Sequence, residues 1–294
     1  MRLEPEFHAN SGLIVANNAS INVNGALSTT DKLENEVIFE ADRLEPDFSD
    51  VPGQWGTIWL TDGSTNNTLN HLTIKNATIG LLVQNNDGTT VSVKNTQIYN
   101  SSTYGILAQT AKIKGENVVI NTAGLASLAC MYGGNYSFTH STFNNNWNSS
   151  QQVAVLVSNY ILGAVPEVKD LTAATFNNCI IYGSYSNEMS LNKKTGAAFE
   201  YQFNNCLIKF DNVSNQFATN PDYQFNTDTA HYNAILLNKD PKFFNISLNK
   251  FKIDETSAAF AKGNSAYLIP LDIIGNTRTL PPDLGAYQNK VFPK

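Results

Sequence analysis

The tetrapeptide Phe-Asn-Asn-Cys occurs at 176–179 and again at 203–206, and its cysteines are among the most reactive side chains of the sequence. Thiolates bind zinc or carry redox chemistry when they are paired at short spacing. The chain has three cysteines, Cys130, Cys179 and Cys206, and no Cys-x-x-Cys pair. Because three widely spaced cysteines provide neither a disulfide framework nor a zinc site, we predict three buried free thiols.

Acids and bases are the second candidate chemistry. A glycosidase needs two carboxylates that flank the bond, and a uronate lyase needs a base and a cation that neutralises the substrate. The candidate bases are Lys94, Lys114, His140 and His231. Calcium needs several acidic oxygens in one place. The segment TDGSTNN at 61–67 has one Asp and is typical of a turn, so we assign no metal ligand, no cofactor and no catalytic residue.

A repeat positions these residues along the chain. When the second Asn of each Phe-Asn-Asn-Cys is taken as a reference, the same pattern of apolar and polar neighbours recurs upstream. Steps of 22 to 27 residues separate the reference positions, except for one step of 38. The reference positions are His71, Asn95, Asn117, His140, Asn178 and Asn205. Such spacing indicates a structural repeat with one insertion.

Apolar or small residues lie two positions before, one after and three after each reference position, with mostly polar residues between them. This period-two alternation on both sides of a polar residue predicts two short strands joined at a bend. A unit of this size cannot bury its apolar face alone and must stack on copies of itself. A leucine-rich repeat would need Leu at several fixed positions, which the unit lacks. The pattern therefore predicts an all-β protein, a right-handed parallel β-helix in which each turn is one repeat.

The reference residues have a structural role in this interpretation. Asn tolerates left-handed backbone angles, and its amide both donates and accepts hydrogen bonds. We therefore expect the six reference residues to occupy successive bends and to bond to one another along the stack, as a ladder. Each Phe-Asn-Asn-Cys then points its Phe and its Cys inward, its first Asn outward and its second Asn into the bend.

Two local features depart from the repeat. The long step before Asn178 predicts an insertion, which we place in SNYILGAVPEVKDL at 158–171 as a projecting loop. Trp55 and Trp59 alternate poorly with their apolar neighbours. We expect at least one of these Trp residues to point outward or to seal the stack.

One outward column of the repeat combines cationic, aromatic and amide side chains. Rings and cations of this kind hold an anionic sugar chain by stacking and by charge. The column is also compatible with an ordinary solvated sheet face. Its members are Lys75, Tyr99, Asn121, Asn144, Tyr182 and Lys209. We predict that any ligand binds along this column.

The outward columns of the repeat contain one carboxylate, Glu116, flanked by Lys94 and Lys114. This trio favours charge pairing between neighbouring turns over catalysis. One carboxylate cannot supply both an acid and a base. No set of paired Asp residues with Gly-His-Gly, as in a polygalacturonase, is visible in the sequence.

The rhythm of the repeat weakens in the last third of the chain. We therefore divide one domain into turns of the stack at 1–212 and further turns with an irregular cap at 213–294. The second part contains Asp-Pro-Lys-Phe at 240–243, DETSAAFAKGN at 254–264 and the pattern D-x-x-G-N-x-R…P-D-x-G-A-Y from Asp272 to Tyr287.

With the Asn-rich turns before it, this segment resembles the C-terminal end of secreted or cell-surface right-handed parallel β-helix proteins of Bacteroidetes-type bacteria. The resemblance implies the β-helix architecture and a cap in which Asp and Arg bond each other and loop backbone. It implies no single activity, because proteins of this kind include polysaccharide lyases and surface proteins.

Composition excludes several classes of function. The net charge is −6 and no basic stripe is present, which argues against nucleic acid. No apolar run of about 18 residues is present to span a membrane. Asn is the most prominent polar residue, with 39 of 294 positions, and it disfavours helix.

The first twelve residues lack the apolar core of a signal peptide. We expect an export signal or a lipid anchor to precede them, and a location outside the cell or on its outer surface.

Two functions are compatible with these observations. The first is a non-catalytic secreted or cell-surface protein, a monomer, that binds polysaccharide or another surface. The second is a carbohydrate-active enzyme, in particular a lyase that acts on an anionic polysaccharide. The missing carboxylate cluster favours the first. A groove that holds Lys or Arg beside a calcium site would favour the second.

Overall fold

The computed structural model describes residues 4–28, 33–149 and 151–291. About 43% of the described residues are in strands or isolated β-bridges and 5% are in helix, which confirms the expectation of almost no helix. Nineteen of the strands belong to one hydrogen-bonded sheet, and two form a separate pair. The protein is therefore all-β with a large parallel sheet of many strands, as expected for a parallel solenoid.

Most strands are short, and four are long because they continue through bends. The strands of the described residues are β1 Glu6–Phe7, β2 Leu13–Val15, β3 Asn22–Asn24, β4 Val37–Ala41, β5 Ile58–Leu60, β6 Thr68–Lys75, β7 Ile79–Gln84, β8 Val91–Ser101, β9 Tyr104–Ala123, β10 Ala126–Thr139, β11 Thr142–Asn145, β12 Val153–Ser158, β13 Tyr160–Ile161, β14 Glu167–Val168, β15 Leu171–Asn177, β16 Ile180–Gly183, β17 Met189–Asn192, β18 Gln202–Asn204, β19 Leu207–Ile208, β20 Tyr232–Asn233 and β21 Leu236–Leu237. Short 3-10 helices span Pro46–Phe48, Val213–Asn215, Pro221–Tyr223, Ile246–Leu248 and Ser265–Tyr267.

Parallel pairing arranges the strands in three columns, here termed faces. Face A contains β2, β5, β7, the first parts of β9 and β10, β12 and β17. Face B contains β3, the first parts of β6 and β8, the middle of β9, the second part of β10, β15, β18 and β20. Face C contains β1, β4, the ends of β6, β8 and β9, β11, β16, β19 and β21. The long strands exist because they continue through the bends from one face to the next. The paired positions skip the bend residues, and the register shifts between Met131 and Gly134.

The inward column of face B contains stacked aromatic rings. Ring centroids are 5.7 Å apart for Phe138 and Phe176, 4.8 Å for Phe176 and Phe203, and 5.7 Å for Phe203 and Tyr232. The inward position of Phe in both Phe-Asn-Asn-Cys copies is therefore confirmed. Gly115 lies in the same column, and a Cβ there would be 2.2 Å from Phe138 Cδ1. The Phe138 ring occupies the space that a side chain at 115 would need.

The cysteines are all buried and free, as predicted. Cys179 and Cys206 each follow a bend, in turns that pair directly through Phe176 and Phe203. Their Sγ atoms lie 3.3 and 3.4 Å from the carbonyl oxygens of Asn177 and Asn204. The thiols therefore behave as small core side chains with a weak hydrogen bond.

The predicted insertion is confirmed, and it is a hairpin: β13 and β14 pair in antiparallel fashion. Its tip is solvated, with Leu162 79% exposed and Val165 77% exposed. The expectation for the two Trp residues is also confirmed. Trp55 is buried and stacks on Phe7 at 4.5 Å. Trp59 points outward on face A and donates to Gln84 Oε1 at 2.8 Å.

Residues beyond about 239 leave the stack and run back along face C. Gly285 N donates to Asn178 O at 2.8 Å, and Ala286 N donates to Thr142 Oγ1 at 3.1 Å. Tyr287 packs with Tyr99 in an apolar cluster outside the main core. This C-terminal segment therefore covers the outer side of face C over several turns.

Candidate functional site

All six reference residues lie at bends between faces B and C, with φ between 45° and 53°. Asn117 Nδ2 donates to Asn95 Oδ1 at 3.0 Å, and Asn178 Nδ2 lies 3.0 Å from His140 Nε2. Asn95 Nδ2 lies 3.4 Å from the ring of His71. Asn205 Nδ2 donates at 3.4 Å to Lys262 O of the C-terminal segment. The expected ladder is therefore incomplete: side-chain bonds join three of its five steps. The described hydrogen bonds do not join Asn117 to His140 or Asn178 to Asn205, and these Asn side chains bond to the C-terminal segment as well.

Arg278 of the C-terminal segment reaches this column. Its Nη2 donates to Asn117 Oδ1 at 2.9 Å and to Gly285 O and Ala286 O at 3.1 Å. Burial lowers the pKa of Arg278 to about 10. We expected Arg and Asp of this segment to bond each other. We also expected both to bond loop backbone, and this part is confirmed, because Asp272 and Asp283 accept from backbone N–H groups of neighbouring loops. The described hydrogen bonds include none between Arg278 and these Asp residues.

The candidate bases are occupied by other interactions. Lys94 and Lys114 lie 2.9 and 2.7 Å from the Glu116 carboxylate. The Lys94 contact confirms the predicted charge pairing between turns, because Lys94 and Glu116 pair in register, whereas Lys114 and Glu116 belong to the same strand, β9. Burial and, to a smaller extent, the charge of Arg278 together lower the pKa of His140 to about 2. His231 bonds to Asp228 at 2.6 Å. None of these four bases lines the cleft described below.

The predicted ligand column forms as one line along face C. Lys75, Tyr99 and Asn121 pair in register, and Asn144 Nδ2 donates to Asn121 Oδ1 at 2.9 Å. Asn144 pairs with Tyr182, whose ring centre is 5.2 Å from Lys209 Nζ. The C-terminal segment covers the middle of this line, so that Tyr99, Asn121 and Asn144 are buried. Lys75, Tyr182 and Lys209 are half-buried. A binding role for the column stays a prediction.

A cleft separates face C from the loop at 246–252 of the C-terminal segment. It has two parts, a pocket of about 250 Å³ and a groove of about 550 Å³, and both are lined by Asp50 and Asn249. The pocket, termed the Glu36 pocket, is lined by polar and charged side chains that include Glu36, Lys75, Gln97, Tyr99, Lys252 and Tyr287. The groove, termed the amide groove, is lined by Asn100, Asn121, Asn146, Asn148, Asn249 and several hydroxyl groups.

A hydrogen-bond network forms the floor of the Glu36 pocket. Thr73 Oγ1 donates to Glu36 Oε2 at 2.7 Å, and Gln97 Nε2 approaches the same oxygen at 3.5 Å. Tyr99 and Tyr287 both donate to Gln97 Oε1, at 2.5 and 3.4 Å. Burial raises the pKa of Glu36, and the Thr73 and Gln97 hydrogen bonds oppose part of that shift. Glu36 therefore holds its proton to higher pH than an exposed Glu.

The amide groove is built by two loops that face a second column of bends, which contains Asn76, Asn100 and Thr122 with φ between 57° and 60°. Asn76 Nδ2 donates to Ser49 O at 3.0 Å and holds the 46–50 loop against the stack. This places Asp50 Oδ1 3.2 Å from Asn100 Nδ2. On the other side a tight turn presents Asn249, with φ of 54°, to Asn121 Nδ2 at 2.7 Å. The groove wall is thus a set of amides fixed by both backbone and side-chain bonds.

Sequence reasoning missed this cleft. Glu36 and Asp50 lie upstream of the aligned repeats, so neither was counted on an outward column. Ile38 pairs in register with Thr73, so extending the alignment one turn upstream would have placed Glu36 beside face C. Asn249 has no local signal, because only the folding back of the C-terminal segment brings it to Asn121, 128 positions away.

The comparisons with known proteins find no match, either to a family model, to a curated protein or to a solved structure. Within 4–28, 33–149 and 151–291, no group of three or more His, Cys, Asp or Glu side chains is arranged to hold a metal ion. The same ranges contain no helix with the length and apolar character needed to cross a membrane.

Proposed function

We propose that the chain is a right-handed parallel β-helix protein of the secreted or cell-surface kind and that it binds polysaccharide in the cleft along face C without cleaving it. The parallel pairing of successive turns supports the architecture. The C-terminal motifs, which resemble those of bacterial surface β-helix proteins, support the location. The amide groove is the main observation that supports the proposed binding function.

Amide side chains match the chemistry of sugars. Each primary amide donates two hydrogen bonds and accepts through its oxygen, and each sugar hydroxyl both donates and accepts. The groove brings five Asn side chains together with Thr122, Ser184 and Ser247 in about 550 Å³. This volume lies within the usual range of ligand sites. A neutral, hydroxyl-rich oligosaccharide therefore fits the groove better than an apolar or a nucleic-acid ligand.

The Glu36 pocket extends the groove beyond Asp50 and Asn249. Apolar side chains form part of its wall, including Leu27, Leu248 and Ile273, and Lys75 and Lys252 add positive charge. Lys75 Nζ lies 3.6 Å from Glu40, so part of its charge is compensated. A sugar unit that carries both an apolar group and a negative group would suit this end of the cleft.

The second candidate function is a carbohydrate-active enzyme, with a lyase on an anionic polysaccharide as the main alternative. One observation favours an enzyme: Glu36 and Asp50 line the same pocket. A buried carboxyl with a raised pKa beside a solvated one is the arrangement that glycosidases use. For a lyase, the nearby tyrosine is a poor base, because burial raises the pKa of Tyr99 well above its usual range. We therefore keep binding as the proposal.

The binding proposal is tested with a glycan array of neutral and acidic oligosaccharides, followed by calorimetric titration of the best soluble ligand. Ser247 is exposed at the groove, so Ser247→Trp fills the groove with little effect on folding. Thr172→Trp, on the exposed side of face B, is the matched control. We expect Ser247→Trp to weaken binding at least tenfold and Thr172→Trp to leave it unchanged. An array with no binder, or binding that survives Ser247→Trp, contradicts the proposal.

Turnover is tested separately on alginate, pectate and a glycosaminoglycan, by measuring unsaturated uronate and new reducing ends. We expect neither product from the purified protein. Product that disappears in Glu36→Gln, while affinity for the same polymer is kept, would establish the enzyme instead.

A further inference from the structure

The hairpin inserted between face A and face B ends in an exposed apolar turn. Strands β13 and β14 form the hairpin as an antiparallel pair outside the main sheet. The segment between them, 162–166, has the sequence Leu-Gly-Ala-Val-Pro and is termed the hairpin tip. All five of its residues are exposed. Leu162 is 79% exposed and Val165 is 77% exposed, and among the described large apolar residues only Val291 is more exposed.

The hairpin tip is a continuous apolar surface. With Ile161 before it, the tip makes a run of six residues without a polar side chain. Single exposed apolar residues are common on folded proteins, but a run of six on a projecting turn is typical of a contact surface. Leu162 and Val165 belong to none of the apolar clusters that the described residues form. The tip is therefore open to a partner.

Three lysines lie at the base of the hairpin, each over an aromatic ring, and are termed the lysine cluster. The distances from Nζ to the ring centre are 4.9 Å for Lys169 over Tyr132, 5.0 Å for Lys194 over Tyr160 and 5.9 Å for Lys193 over Phe199. The side chain of Asn159 accepts from Lys194 N at 2.8 Å and donates to Lys194 O at 2.9 Å. These bonds hold the turn with Lys193 and Lys194 against the hairpin base.

The charge of the lysine cluster is not neutralised within the described part of the chain. The ion pairs there include none of the three lysines. The two carboxylates of the hairpin have other partners: Glu167 accepts from Tyr132 Oη at 2.6 Å, and Asp170 accepts from Ala198 N at 2.8 Å. Three lysines against two carboxylates leave this region positive, although the whole chain has a net charge of −6.

We propose that the hairpin tip docks this protein on an anionic lipid surface. Leu162 and Val165 enter the boundary between headgroups and acyl chains, and the lysine cluster meets the lipid phosphates. A fluid surface accepts a convex apolar tip without a preformed groove, and Lys and Tyr are suited to the boundary between hydrocarbon and water. A groove on another protein would have to match both the shape of the tip and the positions of three lysines.

The docked protein keeps its cleft free. The hairpin follows β12 of face A and precedes β15 of face B, whereas the cleft lies along face C. Lipid docking is therefore independent of the proposed polysaccharide binding, and each can fail without the other.

The size of the tip sets the strength of the docking. A single myristoyl chain alone gives weak, reversible binding with a constant of about 10⁴ M⁻¹. Each lysine near an anionic surface raises the affinity about fivefold. With two large apolar side chains and three lysines, we expect a Kd on the order of 0.1–1 mM accessible lipid. Binding to neutral lipid should be roughly 100-fold weaker.

Vesicle flotation tests the proposal, with phosphatidylcholine alone and with phosphatidylcholine mixed with phosphatidylglycerol, at low and at physiological salt. The tip variants are Leu162→Asp and Val165→Asp. Their matched control is Ile14→Asp, which is 63% exposed and lies five strands from β12 along face A. Thermal unfolding checks that each variant is folded.

A second set of variants tests the charge. The cluster variant carries Lys169→Gln, Lys193→Gln and Lys194→Gln. Its matched control replaces three exposed lysines of the C-terminal segment, Lys239, Lys242 and Lys262, by Gln. The two variants have the same net charge, so a difference between them reports the position of the lysines.

We expect the wild-type protein and both controls to bind the anionic vesicles equally. Each tip variant should raise the Kd at least tenfold, because a carboxylate is unfavourable among acyl chains. The cluster variant should lose roughly 100-fold and most of the salt dependence. Absence of binding to anionic vesicles overturns the proposal. So does binding that both tip variants retain, or binding of equal strength to neutral vesicles.

Discussion

Arg278 donates a hydrogen bond of 2.9 Å to the side-chain oxygen of Asn117, a residue 161 positions earlier in the chain. The bond connects the C-terminal segment to the bend column of the stack. Asn117 also donates to Asn95 in the turn before it and to Leu271 O at 2.9 Å. One amide thus links two turns and the segment that forms the outer wall of the cleft.

Asn117→Leu is expected to destabilise the protein by about 2–4 kcal/mol. The change removes an acceptor from a buried guanidinium and forces a branched side chain to a φ of 52°. Asn205→Leu is the matched control, since Asn205 has a φ of 50° and a bond of 3.4 Å to Lys262 O. Urea unfolding should show a smaller loss, about 1–2 kcal/mol, for the control. Equal losses in the two variants would show that the Arg278 contact adds nothing.

Glu188 is expected to make stability depend on pH. Burial raises its pKa from 4.5 to about 7, so the folded protein binds an extra proton between these values. Stability from this group is full below about pH 4.5 and falls as pH rises through 7, by on the order of 3 kcal/mol in total. Lys209 is the cation that acts on this carboxyl, and it lowers the pKa only in part.

Glu188→Gln removes the titration and keeps an acceptor for Tyr185 N, which lies 2.7 Å from Glu188 Oε1. Its new amide also provides a donor near Gln152 Oε1, which has no hydrogen-bond partner among the described atoms. Unfolding from pH 5 to pH 8 should therefore show a smaller loss of stability for Glu188→Gln than for the wild-type protein. Parallel curves for the two proteins would refute the assignment.

The three thiols should not react in the folded protein. Cys130, Cys179 and Cys206 are fully buried, and burial raises the pKa of Cys130 and Cys206 above the usual range. Thiolate is the reactive form. Mass spectrometry after alkylation should find no label under native conditions and three labels in denaturant. A Cys179–Cys206 disulfide in native material would contradict this prediction and the free-thiol arrangement of the stacked turns.

Gly115→Ala is expected to cost about 1–3 kcal/mol by overpacking the core. The new Cβ would lie 2.2 Å from the Phe138 ring, which is itself stacked on Phe176 and has no room to move aside. Gly163→Ala at the solvated hairpin tip is the control, and we expect a change below about 0.5 kcal/mol. A stability for Gly115→Ala equal to that of the wild-type protein would show that the aromatic column repacks freely.

The repeat itself could be predicted from the sequence. Phe176 and Phe203 face inward in paired turns, and the Lys94–Glu116 charge pair forms between turns, because period-two alternation fixes which side chains share a face. The insertion could also be predicted, because it lengthens one step between the reference positions to 38 residues. The burial of Glu188 could not be predicted. The residues around it do not show whether the Glu188 side chain faces the protein interior or solvent.

The sequence by itself therefore determined the strand pattern, the inward columns and the bend positions of this protein, because each depends on neighbours a few residues apart. The tertiary structure decided which faces stay open to solvent. Gln97 meets Tyr287 across 190 positions and Asn121 meets Asn249 across 128. Those contacts bury Tyr99 and create the cleft. The path of the C-terminal segment is set by the summed burial of many small apolar contacts over several turns, and that sum has no signature at any one position in the sequence.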